Sequence, residues 1–168
     1  MNNRRVCTVS QLSPFQSEEV EEKIGKVNDH KQLMGFLSGA GGIWKSHVIK
    51  TTCQYAQKLC KATGVKFDKR TIVVITALTG AAAVSINGET TAGAFAFKRK
   101  VKDELEEFKN TYVVIVDEVS FASVEDMELL NEKMKQIFDN PWDPFGGVPI
   151  VFSGDFAQLS PVGGRPLY

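Results

Sequence analysis

The stretch "FLSGAGGIWKSHVIK", residues 36–50, decides the fold because it joins an apolar run to a glycine-rich turn and then to a helical pattern. Residues 39–46 match the phosphate-binding pattern G-x-x-x-x-G-K-[ST] except at Trp44, where the pattern has glycine. In such a loop the backbone N–H groups point at phosphate oxygens, and glycine allows the tight curl. Three interpretations stay open: a working nucleotide site with an unusual residue, a damaged site, or a chance glycine-rich turn.

The residue types in this loop predict specific contacts with a nucleotide. Lys45 would reach the β- and γ-phosphates, and the Ser46 hydroxyl would bind Mg²⁺. The helix predicted from Lys45 onward directs its positive end at the anion. The residues expected to hold the nucleotide are Gly39, Ala40, Gly41, Gly42, Ile43, Trp44, Lys45 and Ser46.

Apolar runs alternate with helical patterns along the chain, which favours an α/β fold with a mainly parallel sheet. The apolar runs are nearly continuous, as expected for strands that are buried on both faces. Gly64 marks the expected end of the helix that follows the loop. Strands are predicted at 33–38, 71–77, 112–118 and 148–155, and helices at 17–27, 45–62, 79–86, 101–108 and 122–138.

Composition limits the classes of function. The 168 residues are 43% hydrophobic, and 20 basic and 20 acidic residues give a formal net charge of zero. A globally basic footprint for nucleic acid is therefore absent, and any such surface must be local. No run approaches the roughly 20 apolar residues of a membrane span, so no membrane partner is expected. The cysteines Cys7, Cys53 and Cys60 match no zinc pattern and favour reduced thiols.

Two carboxylates follow the apolar run "YVVIV" at Asp117 and Glu118. A buried strand would deliver Asp117 to the sheet edge beside the phosphate loop, where it can hold Mg²⁺ directly or through water. Glu118 can then polarise the attacking water as a general base. A strand that merely ends in two acids is the alternative, and the glycine-rich loop upstream argues against it.

Two further segments resemble motifs of superfamily 1B DNA helicases: "TALTGAAAVSINGET" (76–90) and "GDFAQLSPV" (154–162). The segments "VVIVDEVSFAS" (113–123) and "PFGGVPIVFSGDFAQLSPV" (144–162) are similar to the second and third motifs of the petite-integration-frequency (PIF-type) helicases and their relatives in Helitron transposons. The resemblance implies a three-layer RecA-like P-loop NTPase domain with Mg²⁺-ATP as cofactor. It covers roughly residues 12–168.

The resemblance also implies roles for single residues. Gln16, in "LSPFQ", would read the adenine edge, and Gln158 would sense the γ-phosphate and relay its loss. Thr79 and Gly80 would touch the backbone of single-stranded DNA, where small residues let a phosphodiester chain approach a helix N-terminus. Phe95 and Phe97 could stack on bases, but core packing is the favoured alternative.

The sequence departs from the family pattern at three points. Trp44 replaces a glycine, and if that position uses a positive φ, the strain would weaken ATP binding or turnover. Gly93 stands where the family usually has histidine. The chain ends after the third motif, so a second RecA-like domain, which would donate an arginine to the transferred phosphate, is not expected within it. Arg165 lies near the end without support for that role.

The sequence therefore predicts the first motor domain of an ATP-dependent DNA helicase at 12–168, after a flexible segment at 1–11. By resemblance, the parent would move 5′ to 3′ on single-stranded DNA in repair, recombination and telomere maintenance, in the nucleus or another DNA-containing compartment. The second RecA-like domain of the parent chain would be a partner. A degenerate, non-catalytic module that binds nucleotide or DNA is the alternative. A small P-loop kinase is disfavoured, because no acceptor site or arginine-rich lid is found.

Overall fold

The computed structural model describes residues 32–40, 44–68, 72–95, 108, 110–158, 161 and 163–168. Within these ranges the strands are all parallel and form one sheet, in the order β1-β5-β4-β2-β3. The strands are β1 (Met34–Ser38), β2 (Val73–Ala77), β3 (Glu89–Thr90), β4 (Val113–Asp117) and β5 (Ile150–Gly154). The α-helices are α1 (Lys45–Thr63), α2 (Gly80–Ser85), α3 (Thr91–Ala94) and α4 (Val124–Ile137), and 3₁₀ turns occupy Val119–Phe121 and Pro144–Gly147.

The sheet confirms the predicted α/β class. The four apolar runs predicted as strands are β1, β2, β4 and β5. β3 is short and was not predicted, because two residues carry no periodicity. The helix predicted at 17–27, the flexible segment 1–11, and the helix predicted at 101–108, except Phe108, lie outside the described residues.

Each face of the sheet carries its own hydrophobic core. Helix α1 packs on one face through Ile49, Cys53 and Cys60, which are all buried. Helix α4 packs on the other face through Leu130 and Met134. Because helices cover both faces, β2 is buried along its whole length, as its nearly continuous apolar sequence predicts.

The outer strand β1 differs from the prediction of a buried strand. Met34 is 49% exposed and Phe36 is 46% exposed, although both point to the α4 face of the sheet. Among the described strands, β1 lies at the end of the sheet and pairs with β5 alone. The ring of Phe36 stacks on Phe156 at 5.2 Å. A continuous apolar run cannot by itself distinguish a central strand from an outer one.

Local signals account for the ends of the two long helices. Helix α1 ends at Gly64, which has the left-handed φ of 74°. Helix α4 begins with a capping box, in which the Ser123 side chain accepts from Asp126 N and the Asp126 carboxylate accepts from Ser123 N. Leu59, an apolar residue near the end of α1, is exposed. In the described part of the chain, no helix combines the length and apolarity needed to traverse a membrane.

Candidate nucleotide-binding site

The parallel sheet brings the predicted nucleotide residues to one edge. Strand β1 ends at Ser38 and leads into Gly39, and β4 ends at Asp117. Because all strands run in the same direction, their carboxyl ends lie at the same edge of the sheet. Strand β5 lies between β1 and β4 and ends there at Gly154. The phosphate loop and the carboxylates therefore meet where ligands of open α/β sheets bind.

Lys45 is the first residue of α1 and is almost buried, at 7% exposure. Its Nζ donates hydrogen bonds to the carbonyl oxygen of Gly39 and, at 3.3 Å, to that of Ala40. The ammonium group is thus held against the loop, where a phosphate could replace the carbonyl oxygens. Ser46 follows it in the first turn of the helix. Gly41, Gly42 and Ile43 lie outside the described residues, as does Gln16.

Trp44 has a glycine-like backbone. Its φ is 65° and its ψ is −35°, a region in which side chains are strained. The position therefore has the positive φ on which the predicted strain depends. The indole is 74% exposed, and its ring meets that of His47 edge-on at 6.2 Å. The side chain therefore projects into solvent, while the Trp44 carbonyl still accepts the helical hydrogen bond from Val48 N at 2.8 Å.

The two carboxylates at the end of β4 are short of hydrogen-bond partners. Asp117 is 3% exposed and its Oδ1 has no partner, and Oε2 of Glu118 is likewise buried and unpartnered. Glu118 has a left-handed backbone, with φ 58° and ψ 36°. Buried polar atoms without partners are rare in proteins, so these oxygens fit a cation or an ordered water.

A divalent cation at this edge would need oxygens beyond those of the protein. No cluster of three metal-ligating side chains occurs within the described ranges. Mg²⁺ is commonly held by one or two carboxylates together with substrate phosphates. The oxygens of Asp117 and Ser46 suit such a shared site.

The electrostatic environment raises the pKa of Glu118. Burial is the main cause, and the neighbouring charges of Asp117 and Asp155 act in the same direction. The Lys45 ammonium partly opposes them. The four charged groups therefore interact at one place, and Glu118 has the heightened proton affinity that suits a general base.

Asp155 is a site residue that the sequence reasoning did not single out. Its backbone oxygen accepts from Gln158 N at 3.0 Å, and its carboxylate accepts from Ala157 N at 3.0 Å and from Gln158 Nε2 at 3.4 Å. It thereby shapes the turn that carries Gln158 and contributes to the raised pKa of Glu118. The sequence signal that could have identified Asp155 is its position as an acidic residue three positions before Gln158, the predicted sensor.

The segment predicted to touch DNA begins at the same edge. Thr79 and Gly80 are exposed, and Thr79 Oγ1 caps α2 by accepting from Ala82 N at 3.3 Å. Just before them, Leu78 N donates to the backbone oxygen of Asp117 at 3.3 Å. This hydrogen bond connects the predicted DNA segment directly to the end of the carboxylate strand.

The structure also places Phe95 and Gly93. Phe95 is fully buried and packs on Phe108 at 5.6 Å, which confirms core packing over base stacking. Phe97 lies outside the described residues. Gly93 N donates to Thr90 Oγ1, and an added Cβ at Gly93 would lie 2.8 Å from that oxygen. A histidine at this position would therefore require Thr90 to move.

Arg165 is engaged by a neighbouring helix. Its Nε donates to Glu125 Oε1 at 3.1 Å, and its backbone N donates to Glu125 Oε2 at 3.2 Å. The pKa of Glu125 is lowered to about 2, first by its own backbone N–H and then by Arg165. The guanidinium therefore has a structural partner at the start of α4.

Comparison with known proteins agrees with this arrangement. The sequence model of the PIF1-like helicase family matches residues 11–166. The chain is 32% identical over 146 residues to the ATP-dependent DNA helicase Pif1 of Psychrobacter sp., covering 77% of this chain and 20% of that protein. It is 31% identical over 175 residues to the ATP-dependent DNA helicase RRM3 of Saccharomyces cerevisiae, covering 96% and 22% respectively. The chain thus spans about a fifth of the length of these relatives.

Solved structures show the same fold. The Pif1 helicase from Candida albicans aligns with a TM-score of 0.58 at 29% identity, covering 90% of this chain and 35% of that one. Pif1 from Bacteroides, crystallised with ADP-AlF3 and ssDNA, aligns with a TM-score of 0.62 at 22% identity, covering 90% and 34%. The fold is therefore that of the RecA-like domains of these helicases. On its motifs, its fold and the match over residues 11–166, the chain belongs to the PIF1-like helicase family.

Proposed function

We propose that the chain is the nucleotide-binding motor domain of an ATP-dependent DNA helicase. The observation that carries the proposal is the meeting of Lys45, Asp117 and Glu118 at one sheet edge, where their charges interact. In the parent protein, ATP hydrolysis would be coupled to unwinding of DNA with 5′-to-3′ movement. Roles in repair, recombination and telomere maintenance, in the nucleus or another DNA-containing compartment, follow from family membership and belong to the proposal.

Each residue of the site has a separate role in the proposed ATP hydrolysis. Lys45 exchanges its bonds to the Gly39 and Ala40 carbonyls for phosphate oxygens. Ser46 and Asp117 would hold Mg²⁺, which would neutralise phosphate charge when bound. Glu118 orients the attacking water and accepts its proton, because its raised pKa makes it a stronger base than an ordinary glutamate.

ATP hydrolysis is coupled to DNA binding through the turns that adjoin the nucleotide site at the same edge of the sheet. Thr79 and Gly80 present a hydroxyl and an open backbone to the phosphodiester chain of single-stranded DNA. The hydrogen bond from Leu78 N to Asp117 O carries shifts of the carboxylate strand to this segment. Gln158, whose side chain hydrogen-bonds the Asp155 carboxylate, senses the γ-phosphate. A second RecA-like domain of the parent supplies the arginine that completes the hydrolytic site.

Binding of labelled ATP, measured with and without Mg²⁺, tests the proposal. The chain should bind ATP more tightly with Mg²⁺, and Lys45→Ala should weaken binding about tenfold or more, because a charged hydrogen bond is worth about 1.5–3 kcal/mol. Lys50→Ala, an exposed lysine of the same helix, serves as the control. Equal affinities for the chain and for Lys45→Ala would refute the assigned site.

A second candidate is a non-catalytic module that binds DNA without using nucleotide. The strained backbone of Trp44 and the bonds of Lys45 to its own loop favour it. The same titration separates the two candidates when labelled single-stranded DNA is measured in parallel. Binding of DNA with no binding of ATP at any Mg²⁺ concentration would select the non-catalytic module.

A further inference from the structure

Ser153 carries a buried hydroxyl that the proposed mechanism does not use. The residue lies on β5, one position before Gly154, and has no solvent exposure. Its Oγ has no hydrogen-bond partner among the described residues. A serine hydroxyl can donate one hydrogen bond and accept others, and buried hydroxyls nearly always do so. We therefore expect the partner of this hydroxyl to be a group outside the described chain, such as a water molecule.

The register of the sheet places Ser153 between the phosphate-loop strand and the carboxylate strand. On one side it pairs with Leu37 of β1, two residues before Gly39. On the other side, Val116 of β4 pairs with Phe152, so that Asp117 and Ser153 each occupy the next position. Residues at matching positions of parallel strands point to the same face. The side chains of Asp117 and Ser153 are therefore neighbours.

Both neighbours have an unpartnered buried oxygen. Oδ1 of Asp117 has no hydrogen-bond partner, and neither does Oγ of Ser153. An ionised carboxylate accepts only, whereas the hydroxyl can donate. A water molecule between them would satisfy both atoms. Hydrogen bonds from groups that do not touch the metal orient metal-binding carboxylates, and their loss commonly lowers metal affinity by about 10–100-fold.

The close packing behind Ser153 keeps this arrangement rigid. An added Cβ at Gly154 would lie 3.0 Å from Cγ1 of Val119 and 3.1 Å from Ser120 N. The end of β5 is thus pressed against the turn that follows Glu118. Strands β4 and β5 are also paired in register up to Val116 and Phe152, so the Ser153 hydroxyl lies beside Asp117 in a closely packed part of the sheet.

We propose that Ser153 is a positioning residue for the divalent cation that accompanies the nucleotide. Its Oγ hydrogen-bonds a water molecule shared with Asp117 and so holds the carboxylate in the orientation that binds the cation. The proposal rests on the proposed nucleotide-binding function and adds a residue that the phosphate-loop and carboxylate motifs do not contain.

Mn²⁺ binding in the presence of ADP, followed by electron paramagnetic resonance, tests the proposal with the full 168-residue chain. Ser153→Ala should weaken Mn²⁺ binding about 10-fold or more, while ADP affinity without metal stays unchanged. Ser85→Ala is the matched control, because its hydroxyl is exposed and bonds only within α2. Ser153→Cys, with nearly the same volume but a weak donor, should behave like the alanine variant.

Thermal unfolding distinguishes positioning from a structural role. Without nucleotide and metal, Ser153→Ala should unfold at the same temperature as the parent or higher, because the hydroxyl makes no hydrogen bond to another described residue and the variant therefore loses none. A lower unfolding temperature would overturn the proposal, and so would Mn²⁺ affinity within about twofold of the parent, since loss of a hydrogen bond that orients a metal ligand costs about tenfold or more. Failure of the parent itself to bind ADP with Mn²⁺ would instead overturn the nucleotide-binding function on which the proposal rests.

Discussion

At the residue scale, the backbone of Trp44 behaves as the glycine of the phosphate-loop pattern would. The turn into α1 has a positive φ at this position. The tryptophan adopts this φ with strain and sends its indole into solvent. Glu118, also with a positive φ, shows the same pattern of strain at a functional position.

Replacing Trp44 with glycine should stabilise the chain. Glycine adopts a positive φ without steric cost, so we expect Trp44→Gly to raise the free energy of unfolding by about 1 kcal/mol. ATP affinity or turnover should also increase, because the loop can close without strain. Urea denaturation and ATP titration measure the two effects.

Trp142→Gly is the matched control for this substitution. Trp142 is 90% exposed and is not among the described residues with a positive φ. Its replacement should lower stability slightly, because glycine gains entropy in the unfolded chain. If both substitutions changed stability equally, relief of backbone strain would not explain the effect at Trp44.

Replacing Glu118 with glutamine should raise stability and abolish turnover. The folded protein raises the pKa of Glu118 above its ordinary value of 4.5, so the folded state binds this proton more tightly than the unfolded state. The contribution of Glu118 to stability is therefore present below pH 4.5 and is lost as pH rises through the raised pKa. Glu118→Gln should flatten this part of the stability–pH profile and reduce hydrolysis by about 10²–10⁴-fold.

Glu128→Gln provides the reference, since Glu128 is an exposed carboxylate on α4. Thermal unfolding between pH 4 and pH 8, a range spanning the carboxylate pKa values, measures the difference between the two variants. A steeper profile for Glu118→Gln than for the parent would contradict the assigned direction of the pKa shift.

At the element scale, helix ends and strand burial differ in how well local sequence predicts them. Gly64 and the Ser123–Asp126 capping box act within one turn of chain, so their residue types suffice to locate the helix ends. The exposure of Phe36 on β1 depends on what packs across from the strand. The apolar run that contains it therefore predicted a strand correctly and its burial incorrectly.

Replacing Gly64 with alanine should destabilise α1 through the backbone alone. An added Cβ at Gly64 meets no atom within 4 Å, but the residue has a φ of 74°. We expect Gly64→Ala to lower the free energy of unfolding by about 1 kcal/mol, measured by urea denaturation.

Gly80→Ala tests this reasoning in the opposite direction. A Cβ at Gly80 also meets open space, and Gly80 begins α2 without a positive φ. Alanine should be neutral or stabilising there, because it favours the helix by up to about 1 kcal/mol. Equal destabilisation by both substitutions would contradict the role of the left-handed backbone.

At the scale of the whole molecule, the sheet order determines which motifs work together. β5 lies between β1 and β4, so the turn with Gln158 emerges between the phosphate loop and the carboxylates. Strand β2 lies on the other side of β4, and Leu78, the residue before Thr79, donates a hydrogen bond to the backbone oxygen of Asp117. The segments predicted to bind nucleotide and DNA therefore adjoin at the end of β4.

Replacing Arg165 with alanine should leave ATP hydrolysis within about twofold of the parent, because its guanidinium is bound to Glu125. An arginine that stabilised the transferred phosphate would be worth about 10³–10⁵ in rate. Steady-state ATP turnover with and without single-stranded DNA measures the effect, and Glu125→Ala is the companion variant. A loss of a thousandfold or so in Arg165→Ala would show that the arginine acts in hydrolysis.

The sequence by itself determined the parallel α/β class and the family, because these depend on periodicity and on residue types within short segments. It also predicted the phosphate loop, the carboxylate pair and the core packing of Phe95. Tertiary structure alone decided the exposed face of β1, the engagement of Arg165 by Glu125 and the place of Asp155 and Ser153 beside Glu118 and Asp117. These features depend on which strands become neighbours. That choice is made by packing between segments far apart in the chain, and no local pattern encodes it.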